Sequence, residues 1–120
     1  MNYFSTKELQ CKCGCRTMSI DAVFLAKLNM LRQLLNTPLI LTSACRCVSH
    51  NKKVGGVPTS LHVTTDEKPC TAVDIACTDK HMRYRIIESA IALKFTGIGC
   101  HKSFIHLSNN ENTKEGVFFY

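Results

Sequence analysis

Residues 60–75, SLHVTTDEKPCTAVDI, are the stretch that decides the fold, because a polar loop here runs into a short apolar strand. The alternation over residues 71–77 predicts a strand with Val73, Ile75 and Cys77 on one face. Asp74 falls on the other face, between two β-branched neighbours. Aspartate is disfavoured both in strands and in protein interiors. We therefore expect Asp74 to face solvent, to be paired or to bind a metal.

Two amphipathic helices are predicted on either side of this stretch. The first covers residues 19–35, is capped by Ser19 or Asp21, and buries a stripe at helical spacing: Ile20, Phe24, Leu28, Leu31 and Leu35. The second begins after a cap at Asp79 and runs to about residue 94, with a buried stripe of Met82, Ile86, Ala90 and Leu93.

Further short strands are predicted at residues 39–43, around Ile98, at residues 104–107 and at residues 117–120. Residues 46–70 contain two glycines and two prolines and are predicted to be mostly loop. Few helices and several short strands are typical of an α+β fold. We expect a small antiparallel or mixed sheet with the helices packed on one side.

Length and charge narrow the classes of function. A chain of 120 residues and 13.4 kDa is expected to form one domain, 1–120. The net charge of +6 suits an anionic partner, such as nucleic acid, a membrane surface or an acidic cell-wall polymer, although ordinary solvated basic faces are the preferred explanation. No apolar run is long enough to span a membrane, and MNYFSTKELQ lacks the apolar core of a signal peptide. We therefore expect synthesis in the cytoplasm without a signal peptide.

Eight cysteines are many for this length, and their state is ambiguous from sequence. They occur as CKCGC (residues 11–15), as CRC (residues 45–47), and singly at Cys70, Cys77 and Cys100. The even count allows four disulfides, whereas the missing export signal favours free thiols. CKCGC either packs as small apolar residues or pairs with CRC. Cys70 could cross-link to Cys77 or Cys100, and a second, structural zinc site at the amino terminus is a further alternative.

Three polar residues in apolar surroundings suggest a metal site. His106 lies between apolar neighbours in FIHL, and a lone histidine of this kind is usually just hydrogen-bonded. Together, His62, Asp74 and His106 supply two imidazoles and one carboxylate. This set suits Zn²⁺, whose catalytic sites use three protein ligands and leave one position open.

Several segments carry a resemblance to a known family. LTSACRCVSHNKKVGGVPTSLH, TAVDI and GIGCHKSFIHL resemble the zinc peptidoglycan peptidases, which include the D-Ala-D-Ala carboxypeptidases and the phage L-Ala-D-Glu endopeptidases. FSTKEL followed by CKCGC is similar to the start of many small phage-type members. The resemblance implies the fold shared with the hedgehog signalling domain. It also implies that His62, Asp74 and His106 are the zinc ligands.

The family motif S-x-H-x-x-G-x-A-x-D is split in this chain. Ser60 and His62 match its opening, and Ala72 and Asp74 match its close. Residues 65–69 are an insertion, and Cys70 stands where the family has glycine. The insertion is expected to reshape the cleft, or to supply an acid to the chemistry. Ligation of the metal by the Cys70 thiolate is a less favoured alternative.

The resemblance also implies roles for other residues. Arg46, in Ser43-Ala44-Cys45-Arg46, matches the arginine that polarises the scissile carbonyl and binds the oxyanion, although a salt bridge explains it equally well. Arg46 and Ser60 are the expected substrate-binding residues. His101, five residues before His106, is the expected general base, with Asp66 or Glu67 as alternatives.

The implied function is zinc-dependent hydrolysis of amide bonds in peptidoglycan stem peptides, by a carboxypeptidase or endopeptidase of the phage or prophage endolysin type. The protein would then act as a monomer on the bacterial cell wall after release, without membrane insertion and without nucleic acid. One alternative is a catalytically reduced, zinc-containing module that binds the cell wall. A cysteine-rich zinc module that binds nucleic acid is the least favoured, because C-x-x-C knuckles and an aromatic stripe are both missing.

Overall fold

A five-stranded mixed sheet forms the centre of the structure, a computed structural model that describes residues 2–110 and 112–120. Its strands are β1 (Leu41–Ser43), β2 (Ala72–Ala76), β3 (Gly97–Cys100), β4 (Phe104–Ser108) and β5 (Gly116–Phe119). Their order across the sheet is β1-β2-β4-β3-β5. The β3–β5 pair is parallel, and the other neighbours are antiparallel. The predicted α+β fold and the predicted strands are confirmed.

The two predicted helices are present, and they begin at side-chain caps. α2 (Ala22–Leu35) begins after Asp21, whose carboxylate accepts a hydrogen bond from the Phe24 amide at 2.9 Å. α4 (Lys80–Ala92) begins after Asp79, which accepts from the Met82 amide at 2.8 Å. Such caps satisfy amide groups that have no partner within the helix. Of the two cap candidates for α2, Asp21 is the cap.

Two short helices were not predicted. α1 (Thr6–Leu9) is held by a capping box between Ser5 and Glu8. α3 (Val48–Lys53) lies within residues 46–70, so the prediction of mostly loop was wrong for that part. The sulfur of Cys47 caps α3 by accepting from the His50 amide at 3.3 Å. A helix of six residues is too short to show the periodicity from which helices are predicted.

The apolar faces of α2 and α4 share one core with one face of the sheet. Val73 and Ile75 of β2 and Ile105 and Leu107 of β4 belong to this core, together with the predicted stripe of α2 from Phe24 to Leu35. Ile20 is only partly buried, because it precedes the helix and pairs with Cys70 in an isolated bridge. Since side chains alternate along a strand, the even-numbered residues of β2 and β4 project to the other face.

That other face is covered by the chain between β1 and β2. The backbone amide of Arg46 donates to the carbonyl of His62 at 2.8 Å, and the amide of Thr64 donates back to the carbonyl of Arg46 at 2.8 Å. This pairing fixes two segments of the covering chain against each other. Among the helices described, none has the length and apolarity needed to cross a membrane.

Candidate metal centre

Asp74 and His106 are brought together by the register of two antiparallel strands. They are direct partners across β2 and β4, and Nδ1 of His106 lies 3.0 Å from Oδ1 of Asp74. Both residues project from the sheet face opposite the apolar core, and both are almost completely buried, with 5% and 9% exposure. The sheet therefore fixes two of the three predicted ligands on rigid elements.

His62 completes the group from the chain that covers this face. Its Nε2 lies 3.2 Å from the same Asp74 oxygen, and its Nδ1 lies 2.7 Å from the carbonyl oxygen of Ala44. A carbonyl only accepts hydrogen bonds, so Nδ1 must carry a proton. In the neutral ring, Nε2 is then an acceptor that faces a carboxylate oxygen. Two facing acceptors need a cation between them, either a proton or a metal ion.

The spacing of these atoms fits a tetrahedral metal ion. One ligand atom from each of His62, Asp74 and His106 lies within 4.8 Å of the others. Bonds of about 2.0 Å from a tetrahedral ion place neighbouring ligand atoms about 3.3 Å apart, close to the observed contacts. The hydrogen bond from His62 to Ala44 is the kind of outer interaction that fixes the orientation of a ligating imidazole. These three residues can therefore hold a metal ion.

The electrostatics of the site keep Asp74 ionised. Burial acts to raise the pKa of Asp74, but hydrogen bonds from His106 and His62, and the charges of both rings, outweigh it and hold the pKa well below its usual range. Arg46 adds a permanent positive charge, with Nη2 at 3.4 Å from Oδ2 of Asp74. The carboxylate is thus available as a charged ligand across the ordinary pH range.

Arg46 is held beside the predicted metal ligands by three contacts. Besides Asp74, its Nε donates to Oγ of Ser43 at 2.9 Å, and its Nη1 donates to Oδ1 of Asn51 at 3.1 Å. Gly56 leaves the space for this arrangement, since a Cβ there would collide with the Asn51 side chain and approach Nη1 of Arg46. Arg46 therefore forms a salt bridge, which was one of the two alternatives predicted for it. Its guanidinium also lines an open cleft.

An open cleft of about 750 Å³ gives access to the three predicted ligands, and Ser60 and Arg46 line it as well. Oγ of Ser60 accepts from the His62 amide at 3.2 Å, so Ser60 both helps to position this residue and faces the cleft. Phe104, Phe118 and Tyr120 supply an aromatic wall. Burial and the charge of Asp74 raise the pKa of Tyr120.

Sequence reasoning missed several residues of the cleft. Asn51 lay within the segment that carries the resemblance, so its position offered a signal. His50 also lines the cleft, with a buried Nδ1 that has no hydrogen-bond partner among the described residues. No local pattern pointed to Phe118 or Tyr120, which reach the cleft only because β5 pairs with β3.

His101 lies between β3 and β4, directly before a bend at Lys102 and Ser103. Its ring stacks on Phe104 with centroids 4.3 Å apart, and it meets Tyr120 edge to face at 5.5 Å. Both of these aromatic residues line the cleft, while His101 is not among the described residues that do. Nδ1 of His101 accepts from the Ser103 amide at 3.1 Å, which leaves the proton of the neutral ring on Nε2.

The insertion forms a small turn in which Thr65 and Lys68 exchange backbone hydrogen bonds. Asp66 borders a separate hollow beside Thr17 and Cys47, and both Asp66 and Glu67 are exposed. Neither is among the described residues that line the cleft. Cys70 does not adopt a left-handed conformation, so this turn does not require the glycine that the family motif has there.

The cysteines are all free thiols in the structure. Cys77 and Cys100 were the partners considered for Cys70, but its sulfur lies 2.7 Å from that of Cys45, and both residues are buried. The contact between the two sulfurs lowers the pKa of Cys45 to about 7, and the same contact together with burial raises the pKa of Cys70. Cys70 is not part of the group formed by His62, Asp74 and His106.

Comparison with known proteins agrees with the resemblance drawn from the motifs. No curated protein matches this chain. The family model described as Peptidase M15 matches residues 2–108, which is most of the chain and includes all three candidate metal ligands. The chain therefore belongs to the Peptidase M15 family, the family of zinc D-Ala-D-Ala carboxypeptidases.

Proposed function

We propose that this protein hydrolyses an amide bond in the stem peptides of peptidoglycan, with a zinc ion held by His62, Asp74 and His106. The observation that carries the proposal is the contact between Nε2 of His62 and Asp74, in which two acceptors face each other in a buried site. Two imidazoles and one carboxylate are a ligand set of catalytic zinc. Membership of the Peptidase M15 family supports the same metal and the same class of substrate.

His62, Asp74 and His106 would hold the zinc ion, which would supply Lewis acidity for the activation of water and of the scissile carbonyl. Arg46 binds the oxyanion that develops on the carbonyl oxygen. Its contacts with Ser43 and Asn51 fix the guanidinium before substrate arrives, so no reorganisation is needed during the reaction.

His101 takes the proton of the attacking water and returns it to the leaving amine. In the structure its acceptor nitrogen is occupied by the Ser103 amide. The ring therefore has to leave Ser103 and turn toward the cleft when substrate binds. Its contacts are with aromatic rings at the cleft wall, which permit such a rotation without breaking an ion pair.

The proposal extends to the setting in which the protein acts. The net charge of +6 suits an anionic cell wall, and the similarity of FSTKEL and CKCGC to small phage-type members supports a role in phage or prophage lysis. In this setting the protein reaches the wall after release and acts there as a monomer. The aromatic wall of the cleft and Ser60 contact the peptide, and they select the bond that is cleaved.

The test is an assay of purified protein on isolated peptidoglycan, with and without a chelator. We expect peptide release to stop with the chelator, to return with added zinc, and to be lost in His62→Ala and in Asp74→Asn. His81→Ala, which removes an exposed histidine of α4, is the matched control and keeps full activity. Release that is insensitive to the chelator, or full activity in His62→Ala, would contradict the proposal. Bound zinc and wall affinity without released peptide would favour the binding module instead.

A further inference from the structure

Four thiols converge at the junction between the amino-terminal segment and the start of α3. One ligand atom from each of Cys11, Cys13, Cys15 and Cys47 lies within 4.8 Å of the others. Three of these cysteines come from CKCGC, and the fourth comes from CRC, more than 30 residues later. The group shares no member with His62, Asp74 and His106, and the proposed reaction makes no use of it.

The spacing of the sulfurs matches a tetrahedral metal ion. Sγ of Cys11 lies 3.5 Å from that of Cys13 and 3.8 Å from that of Cys47, and the sulfurs of Cys13 and Cys47 are 3.8 Å apart. Bonds of about 2.3 Å from zinc to four thiolates place neighbouring sulfurs about 3.8 Å apart. Three edges of the group therefore already have the dimensions of a zinc tetrathiolate.

The backbone of CKCGC is bent to bring its three thiols to one place. Gly14 has φ +94° and Arg16 has φ +64°, and a positive φ is uncommon for a residue other than glycine. The Cys11 amide donates to the carbonyl of Thr17 at 2.8 Å and closes the loop. An extended C-x-C-x-C segment would spread its sulfurs along a line, whereas this turn gathers them around one point.

Backbone amides point at the sulfurs, as they do around metal-bound thiolates. The Cys47 amide donates to Sγ of Cys11 at 3.4 Å, and the His50 amide donates to Sγ of Cys47 at 3.3 Å. The Thr17 amide donates to Sγ of Cys15 at 3.5 Å. Such donors stabilise negative charge on sulfur and fix the orientation of the ligands.

We propose that Cys11, Cys13, Cys15 and Cys47 bind a structural zinc ion. Four thiolates complete a tetrahedral shell and leave no open position, which distinguishes a structural site from a catalytic one. Binding releases the thiol protons to solvent and ties the amino-terminal segment to Cys47. Because Cys47 follows Arg46 directly, the ion anchors the loop that presents the guanidinium to Asp74.

The test uses the full chain, reduced and stripped of metal, and titrated with Co²⁺ alone as the probe. We expect intense sulfur-to-cobalt charge-transfer bands, together with the visible bands of tetrahedral cobalt. These bands should be lost in Cys13→Ser and persist in Cys100→Ser, a matched control outside the group. They should also persist in the double variant His62→Ala/Asp74→Asn, so the result does not depend on hydrolysis or on the proposed function.

Metal content gives an independent readout that does not rely on a cysteine variant folding. Wild type isolated in zinc should hold two equivalents, and His62→Ala/Asp74→Asn should hold one. Absence of charge-transfer bands in the wild type would overturn the proposal. So would unchanged bands in both Cys13→Ser and Cys15→Ser, or peptide mapping that finds these four residues in disulfides with no metal bound.

Discussion

Asp74 and His106 face each other across β2 and β4, and one oxygen of Asp74 lies 3.0 Å from His106 and 3.2 Å from His62. This sharing of one carboxylate oxygen by two imidazoles gives the metal-free site a definite pH dependence. The pKa of Asp74 is held well below its usual range in the folded protein, whereas it returns to about 3.9 on unfolding.

The depressed pKa predicts how the stability of the metal-free protein changes with pH. A group whose pKa is lower in the folded state contributes stability above its unfolded pKa and loses that contribution as pH falls toward the folded value. The charged and titratable groups that face Asp74 are His62, His106 and Arg46. Urea unfolding in chelator should show a wild-type advantage over Asp74→Asn that shrinks as pH falls below about 4. An advantage that grows on acidification would contradict this assignment.

Arg46→Lys should lower kcat by about 10²–10³ while leaving zinc content unchanged. Lysine keeps the charge but cannot bond to Ser43, Asn51 and Asp74 at the same time, so the cation is no longer fixed for the oxyanion. Steady-state kinetics and metal analysis on the same sample separate the two effects. Arg85→Lys, which alters a guanidinium bonded to the carbonyl of Leu35, is the control. If Arg46→Lys keeps the wild-type kcat, the proposed oxyanion role of Arg46 is wrong. Its role is then limited to the salt bridge with Asp74.

His101→Ala should lower kcat by about 10²–10⁴, with normal zinc content, because the proton acceptor is removed and the metal ligands are not touched. Added imidazole should restore part of the activity by entering the space that the ring leaves. Asp66→Asn and Glu67→Gln should keep wild-type activity, since both residues lie outside the lining of the cleft. If the loss appears in Asp66→Asn or Glu67→Gln instead, the base belongs to the insertion.

Phe24→Ala should lower the free energy of unfolding by about 3–5 kcal/mol, because Phe24 is fully buried and packs edge to face on Phe95 at 5.7 Å. The neighbouring residue Val23 is 62% exposed, and Val23→Ala should change stability by less than about 0.5 kcal/mol. Urea titrations of both variants in the same metal state test this difference. Equal effects would mean that the α2 stripe does not form the core.

The parts of the fold that could be predicted are those with a local pattern. The stripe of α2 and the alternation of β2 follow from side-chain geometry within one element, and so does the cap at Asp79. α3 escaped prediction because it has only six residues and because a cysteine, which is not a usual cap, occupies its N-cap.

The site could be predicted only in part, because only some of its residues belong to a local sequence pattern. Asp74 and His106 were visible as polar residues in apolar strands, and with His62 they suggested a metal site, which the motif resemblance then supported. The bond from His62 to the Ala44 carbonyl depends on tertiary packing, and so does the contact between Cys45 and Cys70. The association of CKCGC with CRC was one of the alternatives from the sequence, but no local pattern shows which of the separated cysteines meet in the fold.

The most direct test of the central claim is mass analysis of the fragments released from peptidoglycan in water enriched in heavy oxygen. Zinc-loaded wild type should release stem-peptide fragments in which each new carboxyl group carries one heavy oxygen atom, and the metal-free protein should release none. Products cleaved in the sugar chain, or peptide fragments released equally by Asp74→Asn, would contradict an amide hydrolase built on His62, Asp74 and His106.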